Sequence, residues 1–143
     1  MNKAATYQMK IHASTGSLAD VREFVSVNAR NHSFSEKQIN DIRLAVDEAC
    51  TNVIKHAYNY DEKGQLLIQL SFHPNSLTIT ITDQGRGFNF NSYKKPDLKE
   101  RIKNKKRGGM GIYLIRNLMD EVSYYSDPGQ NILTMKKWRK EST

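Results

Sequence analysis

The chain has 143 residues, a net charge of +7, 38% hydrophobic and 9% aromatic residues, and one cysteine, Cys50. That length supports one hydrophobic core rather than two, so a single domain over 1–143 is expected. No run approaches the roughly 20 apolar residues of a bilayer span, Met1 to Gln8 lacks a signal-peptide core, and a lone cysteine forms no internal disulfide, so the expectation is a cytoplasmic protein without membrane contact.

Thr6 to His12 alternates in polarity and precedes Ser14-Thr15-Gly16-Ser17, which reads as a first strand and its turn. Ser17 to Asn31 carries Leu18, Val21, Val25 and Ala29 at helical spacing. Ser35-Glu36-Lys37-Gln38 is a capping-box pattern opening a second helix. The apolar stripe of that helix is Ile39, Ile42, Val46, Ala49 and Val53, and the pattern extends to about Tyr58. Leu66 to Phe72 and Leu77 to Thr82 read as strands joined by a turn at Pro74-Asn75. From Asp83 to Arg107 no sheet pattern is evident, although part of Pro96 to Asn104 has helical character. Connections of that length inside a compact domain are usually functional, often lids. Gly111 to Met119 reads as a third helix, and Val122 to Tyr125 with Asn131 to Trp138 as a closing hairpin across Asp127-Pro128-Gly129. This order predicts an α+β, two-layer sandwich, with a mixed, mostly antiparallel sheet carrying its helices on one face.

The charge is concentrated. Lys94 to Arg107 holds eight basic residues against two acidic ones, so the rest of the chain is nearly balanced. Such a run is either a solvated loop or a cluster placed for phosphates. A nucleic-acid surface would interleave aromatics with the charge, and only Tyr93 is near, so no direct nucleic-acid contact is expected.

Three motifs flank this run. Glu48 and Asn52 stand four residues apart on a helix and point the same way. Glu48 could accept a proton from an attacking hydroxyl. The Asn52 carbonyl is a hard-cation ligand, and Mg²⁺ takes one or two protein oxygens with phosphates and waters completing its octahedron. Lys55, three residues on, could neutralise phosphate. In Asp83-Gln84-Gly85-Arg86-Gly87, a carboxylate at a strand end could accept a hydrogen bond from the adenine amino group and reject guanine's carbonyl. Gly85 and Gly87 let a ligand approach the backbone. Gly108-Gly109-Met110-Gly111 leads into a helix whose N-terminal amides and dipole would favour an anion. Five of the eight glycines fall between Gly85 and Gly111. Taken singly, each motif also has a bland reading as a solvated helix face, a turn or a loose helix entry. His56, Cys50, Trp138 and Phe72 are read as structural, and Arg22 as a solvated side chain.

In order and spacing, Glu48-x-x-x-Asn52, Asp83-x-Gly85-x-Gly87 and Gly109-x-Gly111 resemble the N, G1 and G2 boxes of the GHKL ATPases, which include gyrase, a heat-shock chaperone ATPase and sensor histidine kinases. Leu44 to Tyr58, Gly108 to Ile115 and Met119 to Val122 look like the anti-sigma-factor serine/threonine kinases of bacterial partner-switching systems. The resemblance runs from about residue 6 to 138. It implies a Bergerat-type (histidine-kinase-like ATPase) fold binding ATP and Mg²⁺, with an ATP lid at about 88–108. By the same resemblance Glu48 would be the catalytic base, Asn52 the magnesium ligand and Asp83 the adenine acceptor, with Arg107 and the Gly108 to Gly111 backbone on phosphates. It further implies phosphorylation of a serine on a small anti-anti-sigma (STAS-type) protein, sequestration of a sigma factor, and a homodimer. Where many relatives place Thr near the adenine, this chain has Gln130-Asn131. The competing readings are a non-catalytic ATP-dependent partner switch and the catalytic domain of a histidine kinase, the latter disfavoured because only about five residues precede the first strand.

Overall fold

The computed structural model describes residues 4–86 and 110–139. The expected lid, and with it Gly87, Arg107, Gly108 and Gly109, lies outside the described residues. The elements in order are β1 (Ala5–His12), a 3-10 turn (Thr15–Ser17), α1 (Leu18–Asn31), α2 (Glu36–Asn52), a π-helical turn (Val53–Ala57), β2 (Gln65–Phe72), β3 (Ser76–Asp83), α3 (Met110–Leu118), β4 (Glu121–Asp127) and β5 (Gln130–Trp138).

Local chemistry accounts for the helices. In α1 the buried residues are Leu18, Val21, Val25 and Ala29, the stripe predicted from spacing. The α2 capping box forms in both directions: the Gln38 N–H donates to Ser35 Oγ at 3.1 Å, and the Ser35 N–H donates to Gln38 Oε1 at 3.2 Å. The Gln38 amide then donates to the Trp138 carbonyl at 3.0 Å, which ties the start of α2 to the end of β5.

The sheet order is β1-β2-β3-β5-β4, and every described pairing is antiparallel. The mixed, mostly antiparallel sheet expected from sequence is therefore antiparallel throughout its described part. Because β5 lies between β3 and β4, those two strands run in the same direction. The chain leaves β3, passes through α3, reaches the far edge as β4 and returns inward as β5. Strand alternation sorts the two faces. Leu66, Ile68, Leu70, Leu77, Ile79, Ile81 and Met135 are fully enclosed, whereas Gln69, Thr78, Thr80 and Thr134 on the opposite face are only partly covered. Each fully enclosed aliphatic side chain contributes about 1.5–3 kcal/mol relative to an exposed one.

Helix α2 packs against both α1 and α3. Phe72 joins an aromatic cluster, stacked on His32 with ring centroids 4.1 Å apart. Trp138 is 42% exposed, with the Lys136 ammonium 4.5 Å from its ring centre. Among the described residues no helix is long and apolar enough to cross a membrane.

Candidate functional site

The candidate residues lie on α2, on the π-turn that follows it and at the end of β3, and that turn meets the segment after β3. Glu48 and Asn52 lie one turn apart at the C-terminal end of α2, both partly buried. Among the described residues neither side chain has a hydrogen-bond or ion-pair partner. A half-buried carboxylate and a half-buried amide without partners leave acceptor oxygens available at a protein boundary. The sequence expectation of a regular helix to Tyr58 is corrected here. The α-helical pattern stops at Asn52 and is followed by a π-turn, in which the Tyr58 N–H donates to the Val53 carbonyl at 3.0 Å. The apolar residues of that turn, Val53, Ile54 and Ala57, are buried, so the pattern that suggested continued α-helix fits the wider turn equally well. Such turns occur often at functional sites. Lys55 and His56 are exposed on it, and His56 is not a core residue.

The π-turn supports the segment after β3 at three points. The Arg86 N–H donates to the Ala57 carbonyl at 2.8 Å. Gly85 packs so tightly there that an added Cβ would lie 2.6 Å from the same carbonyl oxygen. The Tyr58 hydroxyl accepts from the Gln84 N–H at 2.8 Å and donates to the Gln65 carbonyl at 2.7 Å. The Tyr58 ring in turn lies against Gly64, where an added Cβ would be 2.4 Å from the ring. Gly85 is thus required for a close approach between segments, not for a positive φ.

Asp83 is the last residue of β3 and 3% exposed. Its Oδ1 accepts from the Gly85 N–H at 2.9 Å and from Asn131 Nδ2 at 2.8 Å. Among the described residues Oδ2 receives no donor. Burial pushes the carboxyl above its ordinary value of 3.8, and the hydrogen bonds from Asn131 and Gly85 pull it back. A cleft of ≈ 300 Å³ lies at this end of the sheet, lined by Lys10, Gln65, Thr82, Asp83 and Gln84 among others.

The row of directly paired residues here is Leu66, Asp83, Asn131 and Ser126. Asn131 is 1% exposed; its amide also donates to the Gly85 carbonyl at 2.9 Å, and its Oδ1 accepts from Ser126 Oγ at 2.5 Å. Asn131, Ser126 and Tyr58 are the residues that sequence reasoning missed as parts of this corner. Asn131 stands 48 positions from Asp83, and only the pairing of β3 with β5 brings them together. The departure at Gln130-Asn131 was the available signal.

Met110 opens α3, and Gly111 follows within it. The structure therefore sets a helix start directly at the glycine run. Arg22, read from sequence as solvated, instead pairs with Asp47 at 2.7 Å, because α1 and α2 pack side by side. Cys50 is fully enclosed, as expected, and its thiol is pushed up to about 12, mainly by burial and also by the nearby Asp47 charge. Among the described residues no cluster of three or more His, Cys, Asp or Glu side chains is placed to hold a metal ion.

This arrangement defines a class: an α+β sandwich with a Glu/Asn pair on one helix, partner-free among the described residues, and a buried carboxylate at a strand end. Residues 11–137 match the histidine kinase-like ATPase domain family. The chain is 32% identical over 145 aligned positions to serine-protein kinases RsbW of Bacillus thuringiensis (strain Al Hakam) and Bacillus cereus (strain 03BB102), covering 99% of this chain and 90% of each relative. It is 31% identical, with the same coverage, to the serine-protein kinase RsbW of Bacillus anthracis (strain A0248). In fold it is similar to a crystal structure of RsbU and RsbW domains from Mycobacterium tuberculosis, with a TM-score of 0.70 at 15% identity, over 96% of this chain and 34% of that one. The chain belongs to the histidine kinase-like ATPase family and, within it, to the RsbW-type serine-protein kinases.

Proposed function

We propose that this chain is an ATP-dependent serine protein kinase and anti-sigma factor that phosphorylates a small anti-anti-sigma protein of the STAS type and sequesters a sigma factor. The observation that carries the reading is the Asp83 corner. Among the described residues a buried carboxylate keeps one oxygen without a donor while its other oxygen is fixed by two. A buried acceptor left open is costly unless a ligand supplies the donor. Adenine's amino group is such a donor, and guanine has a carbonyl at the corresponding position.

Asn52 and Glu48, half-buried and without a partner among the described residues, fit the remaining chemistry. Asn52 would offer its carbonyl oxygen to Mg²⁺, with Lys55 nearby on the π-turn as a charge for phosphate. When bound, Mg²⁺ would supply charge neutralisation between the β- and γ-phosphates. Glu48 would accept the proton of the attacking serine hydroxyl. Gly87 would let the nucleotide approach the backbone after β3, while Gly85 seats that backbone against the π-turn. The backbone of Gly108, Gly109, Met110 and Gly111, with Arg107, would hold the phosphates at the start of α3. The basic run from Lys94 to Arg107 carries charge complementary to a triphosphate. We assign the working form to the cytoplasm as a homodimer.

The test is direct. The protein is incubated with γ-labelled ATP, Mg²⁺ and the anti-anti-sigma proteins of its own genome. Label should move to a serine of one of them and depend on Mg²⁺. ATP binding and sigma-factor capture with no transfer to any of them would favour a non-catalytic partner switch.

A further inference from the structure

We infer that Asn131 is the positioning residue that sets nucleobase selectivity in this chain, by fixing which oxygen of Asp83 faces the base. The inference rests on the adenine-nucleotide reading of the site and adds a residue to it. Three hydrogen bonds carry it. The Asn131 amide donates to Asp83 Oδ1 at 2.8 Å and to the Gly85 carbonyl at 2.9 Å, while its own oxygen accepts from Ser126 Oγ at 2.5 Å.

These contacts allow one amide orientation only. Both Asp83 Oδ1 and Gly85 O are acceptors, so the NH₂ group must face them; a flipped amide would set oxygen against two oxygens. Ser126 supplies the donor that the remaining amide oxygen requires. The consequence reaches Asp83. With Oδ1 held by Asn131 and by the Gly85 N–H, rotation about the carboxylate torsion is blocked, and Oδ2 is the acceptor left over. A carboxylate free to turn would spread its acceptor over several directions. It could also be reached by water, which satisfies a carboxylate without regard to the base. Asn131 also holds the Gly85 carbonyl, so one side chain fixes both the carboxylate and the backbone that turns beside it. Asn131 is 1% exposed, so these bonds form where water does not compete.

The experiment measures ATP against purine riboside triphosphate, which differs by lacking the adenine amino group. Both carry the same triphosphate, so their affinity ratio isolates that group from overall binding. In the unaltered protein ATP should bind about ten- to a hundredfold more tightly, the range for a hydrogen bond to a charged acceptor. Asn131→Leu removes every polar contact at similar volume, and the ratio should fall by about tenfold or more, as for a misdirected acceptor. Asn131→Val suits a strand and carries no hydrogen-bonding group, so its ratio should also fall. A structural role alone would lower stability and weaken both nucleotides alike, leaving the ratio intact. A preserved ratio in the variants, with a large ratio in the unaltered protein, overturns the role of Asn131 and leaves the adenine reading standing. A ratio near one in the unaltered protein overturns both. Where Asn131→Leu does not fold, Asn131→Val decides: an unchanged ratio there overturns the inference.

Discussion

On the proposed function, Glu48 would contribute to chemistry and Asp83 to binding, and the two are separable by substitution. Among the described residues Glu48 has no partner to lose, so Glu48→Gln should leave the fold and ATP affinity nearly unchanged while phosphoryl transfer falls by about 10²–10⁴-fold, the usual cost of losing a general base. Full transfer by that variant in a single-turnover assay would remove Glu48 from the mechanism. Asp83 behaves differently because its burial raises its carboxyl above 3.8. An acid whose folded value is raised holds its proton longer in the native state, so its contribution to stability falls as pH rises from 3.8 through the folded value. Asp83→Asn should therefore stabilise the nucleotide-free protein at neutral pH, keeping an oxygen for the Gly85 N–H and Asn131 amide. That advantage should shrink as pH falls toward 3.8. The same substitution should abolish ATP-over-GTP preference, because the amide presents a donor where the base needs an acceptor. Thermal melts across pH, paired with calorimetry on both nucleotides, check both halves. A variant destabilised at neutral pH would show that the carboxylate is structural. Asp83 stood out in the sequence only through the order and spacing of its motif with Glu48-x-x-x-Asn52 and Gly109-x-Gly111, since Asp and Gly at a strand end also make ordinary turns. Its Asn131 and Ser126 partners did not, since no local pattern announces a contact made across a sheet.

The π-turn is the element on which the site depends most. Capping and periodicity placed α1 and α2 from sequence, because Ser35, Gln38 and the apolar stripes act within a few residues of themselves. The switch from α to π after Asn52 was not legible. It is set by tertiary demands at its far end, where the Ala57 carbonyl must meet the Arg86 N–H and Tyr58 must reach both Gln84 and Gln65. Tyr58→Phe removes two of these bonds and should cost about 1–3 kcal/mol at typical net values. Gly85→Ala should cost more binding than stability. Its Cβ would meet backbone at 2.6 Å, which cannot turn aside, so the segment beside Asp83 must shift. ATP affinity should then fall by about a hundredfold, the penalty for displacing a site by about 1 Å. Unchanged ATP binding in Gly85→Ala would mean that the close approach does not shape the nucleotide site.

Across the whole molecule, the legible parts were those joined by short turns. The β2–β3 and β4–β5 hairpins follow from Pro74-Asn75 and Pro128-Gly129, whereas the pairing of β3 with β5 closes the sheet over nearly fifty residues and carries no local signal. Cys50, on α2, lies within the core, 0% exposed, with its thiol pushed up to about 12. The thiolate is the reactive form, so Cys50 should react with a thiol reagent only after the core opens. Its labelling rate then reports global unfolding, and a ligand specific for the native state should slow it. At a concentration about a hundred times its dissociation constant, ATP with Mg²⁺ adds about 2.7 kcal/mol and should slow labelling about a hundredfold where reclosing outpaces the reagent. GTP at the same concentration should slow it far less. Labelling of the native protein at the rate of an exposed thiol, insensitive to ATP, would show that α2 opens locally without releasing the nucleotide, and would separate the core from the site it is argued to hold.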